Sequence, residues 1–219
     1  MAFLDAYRQQ VALLIRALPF VAAEPDFALK GGTAINLFVR DMPRLSVDID
    51  LTYLPVTDRA TSLGAIDAGM TRIAERIAKG IPGAHVAPSL LRPENIVTKL
   101  VVRSENAQIK VEVTPVLRGV VFDPVLTEVA PTVEEVFGYA RISVVSFADL
   151  YAGKIVAALD RQHPRDLFDV WIYSRTRASA TNCAAPSLSI LSATTVQWLK
   201  SLLQPAGRWR QNLRADLKG

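Results

Sequence analysis

One short stretch of alternating residues restricts the fold of this 219-residue chain more than any other feature. Val47, Ile49 and Leu51 alternate there with Asp48 and Asp50. A period of two is typical of a β-strand with one buried face, and it places both aspartates on the opposite face. Two carboxylates this close repel each other unless water or a cation lies between them. The sequence therefore predicts a sheet with an acidic face.

A glycine turn precedes this strand. Residues 26–29 predict a short strand, Gly31, Gly32 and Thr33 a reversal of the chain, and residues 34–39 a helix. Free backbone N–H groups at the start of a helix attract anions, so this junction is a candidate triphosphate site. A tight turn with no ligand explains the two glycines equally well. The Walker A pattern is absent from the sequence.

The remaining periodicities predict helices and one antiparallel pair of strands. The predicted helices cover residues 3 to about 19, 58–79, 146–159 and from 163 onward, and the strands cover residues 95–103 and 108–116. Residues 122–139 predict a loop with one short helix. The residues 146–149 have capping-box character, which supports a helix start there.

Glu112 alternates with Val111 and Val113 and lies on a strand that can neighbour Asp48 and Asp50. Mg²⁺ prefers oxygen ligands and takes one or two protein carboxylates, completing its coordination with water and phosphate. A third carboxylate would allow two ions to act on the attacking and leaving oxygens of a transfer reaction. The alternative is a solvated acidic face that binds no metal.

Three charged residues stand out nearer the C-terminus. Lys154 lies in an otherwise apolar helical stretch, and Asp166 and Asp169 share a helix face. Lys154 is predicted either to contact phosphate or to extend along the surface into solvent. Asp166 either serves as a general base or orienting group for an attacking hydroxyl, or both aspartates simply complement the helix N-terminus.

Composition excludes several classes of protein. A single cysteine forms no intrachain disulfide, and with two histidines the chain lacks a zinc framework, so any metal is held mainly by oxygen. No apolar run is long enough to span a membrane, and residues 1–20 lack a secretory pattern, so we expect a cytoplasmic protein. The net charge of +4 favours an anionic partner such as a nucleotide or RNA.

Five sequence motifs occur in a characteristic order along the chain. They are Lys30-Gly31-Gly32-Thr33, Arg44-x-Ser46-x-Asp48-Ile49-Asp50-Leu51, Lys110-Val111-Glu112-Val113, Leu150-x3-Lys154 and Arg165-Asp166-x2-Asp169. Together they resemble the AbiEii/AbiGii toxin family, also seen in MenT-type toxins, within the DNA polymerase beta-like nucleotidyltransferase superfamily. The resemblance covers about residues 27–175. It implies an α/β or α+β nucleotidyltransferase core, with helices flanking a small mixed sheet, and a helical C-terminal part.

The resemblance implies transfer of a nucleoside monophosphate from an NTP to a hydroxyl group of RNA, with the 3′ end of tRNA as the expected acceptor. It assigns metal binding, with one or two Mg²⁺ ions, to Asp48, Asp50 and Glu112, although superfamily members often have Asp at the third position. It assigns nucleotide binding to Gly31, Gly32, Thr33, Ser46 and Lys154. The resemblance assigns catalysis to Asp48, Asp50, Lys154 and Asp166. A separately encoded antitoxin is the expected partner.

The resemblance also implies a division of the chain into a nucleotidyltransferase core, residues 1–145, and a helical region, residues 146–219. Family members commonly continue into a larger helical domain, whereas residues from about 178 form a short Ser/Thr-rich tail that departs from that pattern. Two other functions stay open: nucleotidyl transfer to a small molecule or a protein, and a silent relative that binds without catalysis.

Overall fold

The computed structural model describes residues 2–179, including the side chains of residues 5–173. The chain divides into two compact units, residues 1–150 and residues from Tyr151 onward. The first unit is built on a mixed seven-stranded sheet, and the described part of the second is helical. The predicted α/β fold class is confirmed. The predicted tail from about residue 178 lies almost entirely outside the described residues.

The elements follow one another in a mixed order. The helices are α1 (Ala2–Ala22), α2 (Gly31–Thr33), α3 (Arg59–Gly80), α4 (Pro131–Phe137), α5 (Phe147–Arg161) and α6 (Pro164–Ser179). A π-helical segment, Ala34–Val39, directly continues α2. The strands are β1 (Phe27–Lys30), β2 (Asp48–Tyr53), β3 (His85–Leu91), β4 (Ile96–Ser104), β5 (Ala107–Arg118), β6 (Val125–Glu128) and β7 (Arg141–Val144).

The strands lie in the order β3-β4-β5-β2-β1-β7-β6. β2 is the central strand, antiparallel to β1 and parallel to β5. The predicted hairpin is confirmed as the antiparallel pair β4–β5, and β7 runs parallel to β1 on its other side. The acidic strand therefore lies between the strand that leads into the glycine turn and the strand that carries Glu112.

The core contains the apolar faces of the sheet and of the long helices. Ile49 and Leu51 of β2 are fully buried, as their alternation predicts. Other fully buried side chains come from α1 and α3: Leu14, Leu18, Ile66, Met70, Ile73 and Ile77. Burying each such side chain stabilises the fold by about 1.5–3 kcal/mol. The start of α3 is fixed by Asp58, whose carboxylate accepts a hydrogen bond of 3.0 Å from the Thr61 N–H.

Two features of the first unit differ from the sequence prediction. α1 does not end near Pro19 but continues to Ala22. Pro19 removes only one helical hydrogen bond, and burial of the neighbouring Leu18 and Val21 holds the last turn in place. In addition, β3, β6 and β7 were not predicted. β6 and β7 have four residues each, and β3 is an edge strand interrupted by Pro88, so none shows a clear alternation.

The described part of the second unit has its own small core. Ile155 and Ala158 of α5 pack with Val170 of α6, and the rings of Tyr151 and Tyr173 stack with centroids 4.5 Å apart. α6 begins where the sequence predicts, with His163 as its cap. The Nδ1 atom of His163 accepts a hydrogen bond of 3.2 Å from the Arg165 N–H. In the part of the chain that the structure describes, no helix is both long enough and apolar enough to cross a membrane.

A buried carboxylate links the end of α1 to α3. Glu24 is only 3% exposed, and it accepts hydrogen bonds from Arg72 at 2.9 and 2.7 Å and from Arg76 at 2.5 Å. The Arg72 hydrogen bonds make the largest contribution to lowering the pKa of Glu24, and the Arg76 hydrogen bond adds to it. Together they outweigh burial, which by itself would raise this pKa. The ionised form of Glu24 therefore stabilises the folded first unit.

We expect Glu24→Gln to lower the free energy of unfolding at neutral pH by about 1.5–3 kcal/mol, because it removes charge-assisted hydrogen bonds. The contribution of Glu24 is present above its ordinary pKa of 4.5 and is lost as the pH falls through the lowered folded-state pKa. Urea unfolding of the wild type and the variant should therefore converge in acid. The exposed Glu135→Gln is the matched control and should match the wild type throughout; an equal loss in both variants would contradict this role.

Candidate nucleotidyl-transfer site

The acidic face of β2 forms the centre of the candidate site. Asp48 and Asp50 are both partly buried and, two residues apart on a strand, point to the same face of the sheet. Glu112 of β5 lies directly beside Asp50 in the strand register. The predicted neighbourhood of the three acidic residues is therefore present in the sheet.

Two lysines flank these acids in the same register row. Lys30 of β1 is paired with Asp50, and Lys99 of β4 is paired with Glu112. The Lys30 ammonium donates a hydrogen bond of 3.3 Å to the Thr114 hydroxyl, and the Lys99 ammonium lies 2.6 Å from the Glu112 carboxylate. Burial lowers the pKa of Lys30, and the charge of Asp50 opposes that shift. Alternating charges across four strands thus offset the repulsion between neighbouring carboxylates.

Sequence reasoning assigned no role to either lysine. Lys30 had a visible signal, because it directly precedes the two glycines in the motif. Lys99 had none, since its pairing with Glu112 depends on the β4–β5 register.

The glycine turn packs tightly against the acidic strand. Gly31 has a φ of +75°, and a β-carbon there would overlap the Asp50 carboxylate. A β-carbon on Gly32 would lie 2.9 Å from a guanidinium nitrogen of Arg44 and 3.1 Å from the Ser46 hydroxyl. Gly31 therefore excludes a larger residue both by overlap and by its backbone conformation, whereas at Gly32 a larger residue would have to displace the flexible Arg44 side chain.

Two hydroxyl groups connect the turn to the beginning of β2. The Thr33 side chain is fully buried, and its hydroxyl lies 3.0 Å from the Ser46 hydroxyl and 2.5 Å from the Asp48 carbonyl oxygen. Because these contacts occupy the Thr33 hydroxyl, its backbone N–H is the donor left for a phosphate. The structure thus brings together all the predicted site residues of the first unit: Gly31, Gly32, Thr33, Ser46, Asp48, Asp50 and Glu112.

Asn36 is a buried polar residue that the sequence analysis did not select. Its side-chain amide donates a hydrogen bond of 2.7 Å to the Gly32 carbonyl oxygen. It lies in the π-helical segment, where the Arg40 N–H donates to the Ile35 carbonyl at 2.8 Å. A polar residue inside the apolar run of residues 34–39 was the available signal. Asn36 thus holds the glycine turn through the Gly32 carbonyl.

The donor set of this face suits a hard divalent cation. Asp48 and Asp50 supply carboxylate oxygens on one face of the strand, and these are the ligands that such a cation prefers. Among the described residues, no group of three or more His, Cys, Asp or Glu side chains is arranged to hold a metal ion. The pair therefore fits Mg²⁺ coordination completed by substrate and water, while Glu112 is engaged by Lys99.

Lys154 and Asp166, the two predicted catalytic residues of the second unit, form an ion pair. The Lys154 ammonium lies 2.9 Å from the Asp166 carboxylate and 3.2 Å from that of Asp169. The alternative of a lysine extending into solvent is wrong, because the Lys154 side chain is only 8% exposed. Arg161 approaches Asp166 to 2.7 Å. Burial alone would raise the pKa of Asp166, but the hydrogen bonds from Arg161 and Lys154 outweigh it and hold the pKa below its ordinary value.

A glycine turn placed against paired carboxylates on a sheet suits an enzyme that transfers phosphoryl or nucleotidyl groups. Comparison with protein families agrees with this class. Residues 12–200 match the family described as nucleotidyl transferase AbiEii toxin, type IV toxin–antitoxin system. The chain belongs to this family and is a nucleotidyl transferase. No curated protein matches the chain.

We expect Gly31→Ala to abolish nucleotide binding and to destabilise the first unit by more than about 1 kcal/mol, because it combines strain at positive φ with overlap on Asp50. Binding of a fluorescent NTP and thermal unfolding measure the two effects.

Two other glycines separate the causes. Gly83 has a positive φ but open space around it, so Gly83→Ala tests backbone strain alone. Gly64 has neither constraint. Both variants should retain nucleotide binding, and only Gly83→Ala should show a modest loss of stability. Normal binding by Gly31→Ala would contradict the proposed close packing.

Lys154→Met should lower the free energy of unfolding by about 3–5 kcal/mol, because it leaves the buried Asp166 and Asp169 carboxylates without their shared cation. Denaturant titration followed by circular dichroism measures the change. The exposed Lys79→Met is the control and should lose less than about 1 kcal/mol. Equal stability of Lys154→Met and the wild type would show that the buried pair is not structural.

Proposed function

We propose that this toxin transfers a nucleoside monophosphate from an NTP to the 3′ end of RNA, with tRNA as the acceptor. The observation that supports the proposal best is the close packing of Gly31 against Asp50. It places a turn at the start of a helical segment, where backbone N–H groups attract anions, beside a carboxylate pair that suits Mg²⁺. An anionic triphosphate and its metal ion are the ligands that such a combination favours.

In this proposal Asp48 and Asp50 hold one or two Mg²⁺ ions, and Glu112 becomes a third ligand only where the substrate complex releases it from Lys99. The bound ions would neutralise charge that develops on the phosphates. Gly31, Gly32 and Thr33 bind the triphosphate through backbone N–H groups, and Ser46 holds the turn in place. Binding and orientation supply most of the rate enhancement in such transfers.

The second unit contributes Lys154 and Asp166. We assign Lys154 to a phosphate contact and Asp166 to the essential acid of the last motif. Their ion pair supports this assignment, because two buried groups that restrain each other keep a fixed geometry. The lowered pKa of Asp166 keeps it ionised at neutral pH.

The proposal also concerns the cellular setting. A toxin of a toxin–antitoxin system implies an antitoxin partner. NTPs and tRNA are cytoplasmic substrates, so we propose that the reaction takes place in the cytoplasm. The net charge of +4 agrees with a polyanionic acceptor.

Incubation of the purified protein with total tRNA, Mg²⁺ and each α-³²P-labelled NTP in turn should label tRNA with at least one nucleotide. Asp48→Ala should abolish labelling, because it removes a metal ligand. It should also leave the fold intact, since the Asp48 contact to Thr33 uses the backbone carbonyl. The exposed Asp160→Asn is the matched control and should label tRNA normally.

Parallel reactions with protein and small-molecule acceptor pools complete the experiment. Label that appears only in one of those pools would overturn RNA as the acceptor and retain nucleotidyl transfer. Full activity of Asp48→Ala would overturn the metal assignment. Absence of label in every pool, with no calorimetric binding of NTP and Mg²⁺, would favour a silent relative.

A further inference from the structure

An exposed apolar segment begins within the last residues of β5, the strand that carries Glu112, and continues beyond it. We call residues 114–122 the apolar arch. Its Val116, Leu117, Val121 and Phe122 side chains are 71%, 65%, 80% and 49% exposed. Clusters of exposed large apolar side chains in one segment of a globular protein mark candidate binding sites.

The arch begins as a bulge beside the acidic strand. β5 pairs with β2 through Leu51 and Val113, and the next pair is Tyr53 with Arg118. Residues 114–117 therefore face the single residue Thr52, and the excess chain leaves the regular ladder. Bulges are enriched next to active sites, where they redirect side chains.

Four hydrogen bonds hold the arch in place. Thr114 accepts a hydrogen bond from the Lys30 ammonium at 3.3 Å, and the Gly119 N–H donates to the Tyr53 carbonyl at 2.8 Å. The Val121 and Phe122 N–H groups donate to the two carboxylate oxygens of Asp149, at 3.0 and 3.1 Å. Asp149 is itself fixed by the Ser146 hydroxyl at 2.7 Å. The backbone is thus anchored while the apolar side chains project into solvent.

The position of the arch in the sheet relates it to the transfer reaction. β1, which leads into the glycine turn, and β5, which leads into the arch, lie on opposite sides of β2. In an in-line displacement the attacking oxygen and the leaving pyrophosphate lie on opposite sides of the transferred phosphorus. The arch starts beside the acidic row, because Thr114 lies two residues after Glu112 and contacts Lys30, the strand partner of Asp50. With the triphosphate on the glycine turn, as the proposed function requires, the β5 side of β2 is the side left for the acceptor.

The arch also carries a positive charge. Arg118 follows Leu117, and its guanidinium donates to the Thr57 carbonyl at 3.1 Å and to the Ser62 hydroxyl at 3.3 Å. Both acceptors are neutral, so these contacts orient the guanidinium without neutralising its charge. Exposed apolar and aromatic side chains on the same short segment as an arginine match a single-stranded nucleotide, whose base stacks while its phosphate binds the cation.

We propose that the apolar arch binds the terminal nucleotide of a single-stranded RNA 3′ end and positions its hydroxyl for attack. This inference rests on the proposed function and adds the acceptor subsite to it. Phe122 and Leu117 provide apolar surface for the base, and Arg118 contacts the adjoining phosphate. Asp149 is a positioning residue that acts through the backbone of the arch.

The test is fluorescence anisotropy of a short, 5′-fluorescein-labelled single-stranded RNA with the full chain. Leu117→Ser and Phe122→Ser should each raise the Kd for this RNA about tenfold or more. The Kd for a fluorescent NTP with Mg²⁺ and the melting temperature should stay within error of the wild type, since both side chains are exposed. Leu90→Ser, at a half-exposed apolar position on the far edge strand β3, is the control and should leave both Kd values unchanged.

The other outcomes distinguish two kinds of failure. RNA affinity equal to wild type in both arch variants would overturn the arch as the acceptor subsite and leave the proposed function standing. A wild type that binds NTP but not RNA would overturn both the subsite and RNA as the acceptor. A wild-type dimer in sedimentation that disappears in Phe122→Ser would assign the arch to self-association and overturn RNA binding there.

Discussion

The pairing of β1, β2 and β5 is the constraint on which the candidate site depends. Its register places Asp50 between Lys30 and Glu112, with Lys99 at the outer end of the row. Adjacent carboxylates destabilise a sheet unless cations compensate them. Here the compensation comes from lysines on the neighbouring strands, so an acidic face that suits a metal ion is compatible with a stable protein.

The glycine turn makes this acidic face a candidate site for a larger anion. Gly31 allows the backbone to approach the Asp50 carboxylate, and Thr33, Ser46 and Asn36 hold the turn from two sides. A binding site formed before the ligand arrives avoids the entropic cost of ordering a loop. The π-helical segment that follows contributes by carrying the buried Asn36, and such segments occur frequently at functional sites.

Family membership and local geometry support the same class of reaction from independent directions. The family is that of a nucleotidyl transferase toxin, and the match extends through residue 200. The structure adds a buried ion pair between Lys154 and Asp166 in the second unit and an anchored apolar arch in the first. In our proposals the donor phosphates lie at the glycine turn, the metal ion at Asp48 and Asp50 of β2, and the acceptor at the apolar arch.

The sequence by itself determined the local features. Alternation at Val47–Leu51 predicted the acidic face, the two glycines predicted the turn, and the capping box at Ser146 predicted the start of α5; each depends on interactions between near neighbours in the chain. Only the tertiary structure decided the rest. The lysine pairs of Asp50 and Glu112, the burial of Lys154 and the short strands β6 and β7 depend on contacts between distant segments. Local periodicity carries no information about which strands become neighbours or which charged side chain finds a buried partner.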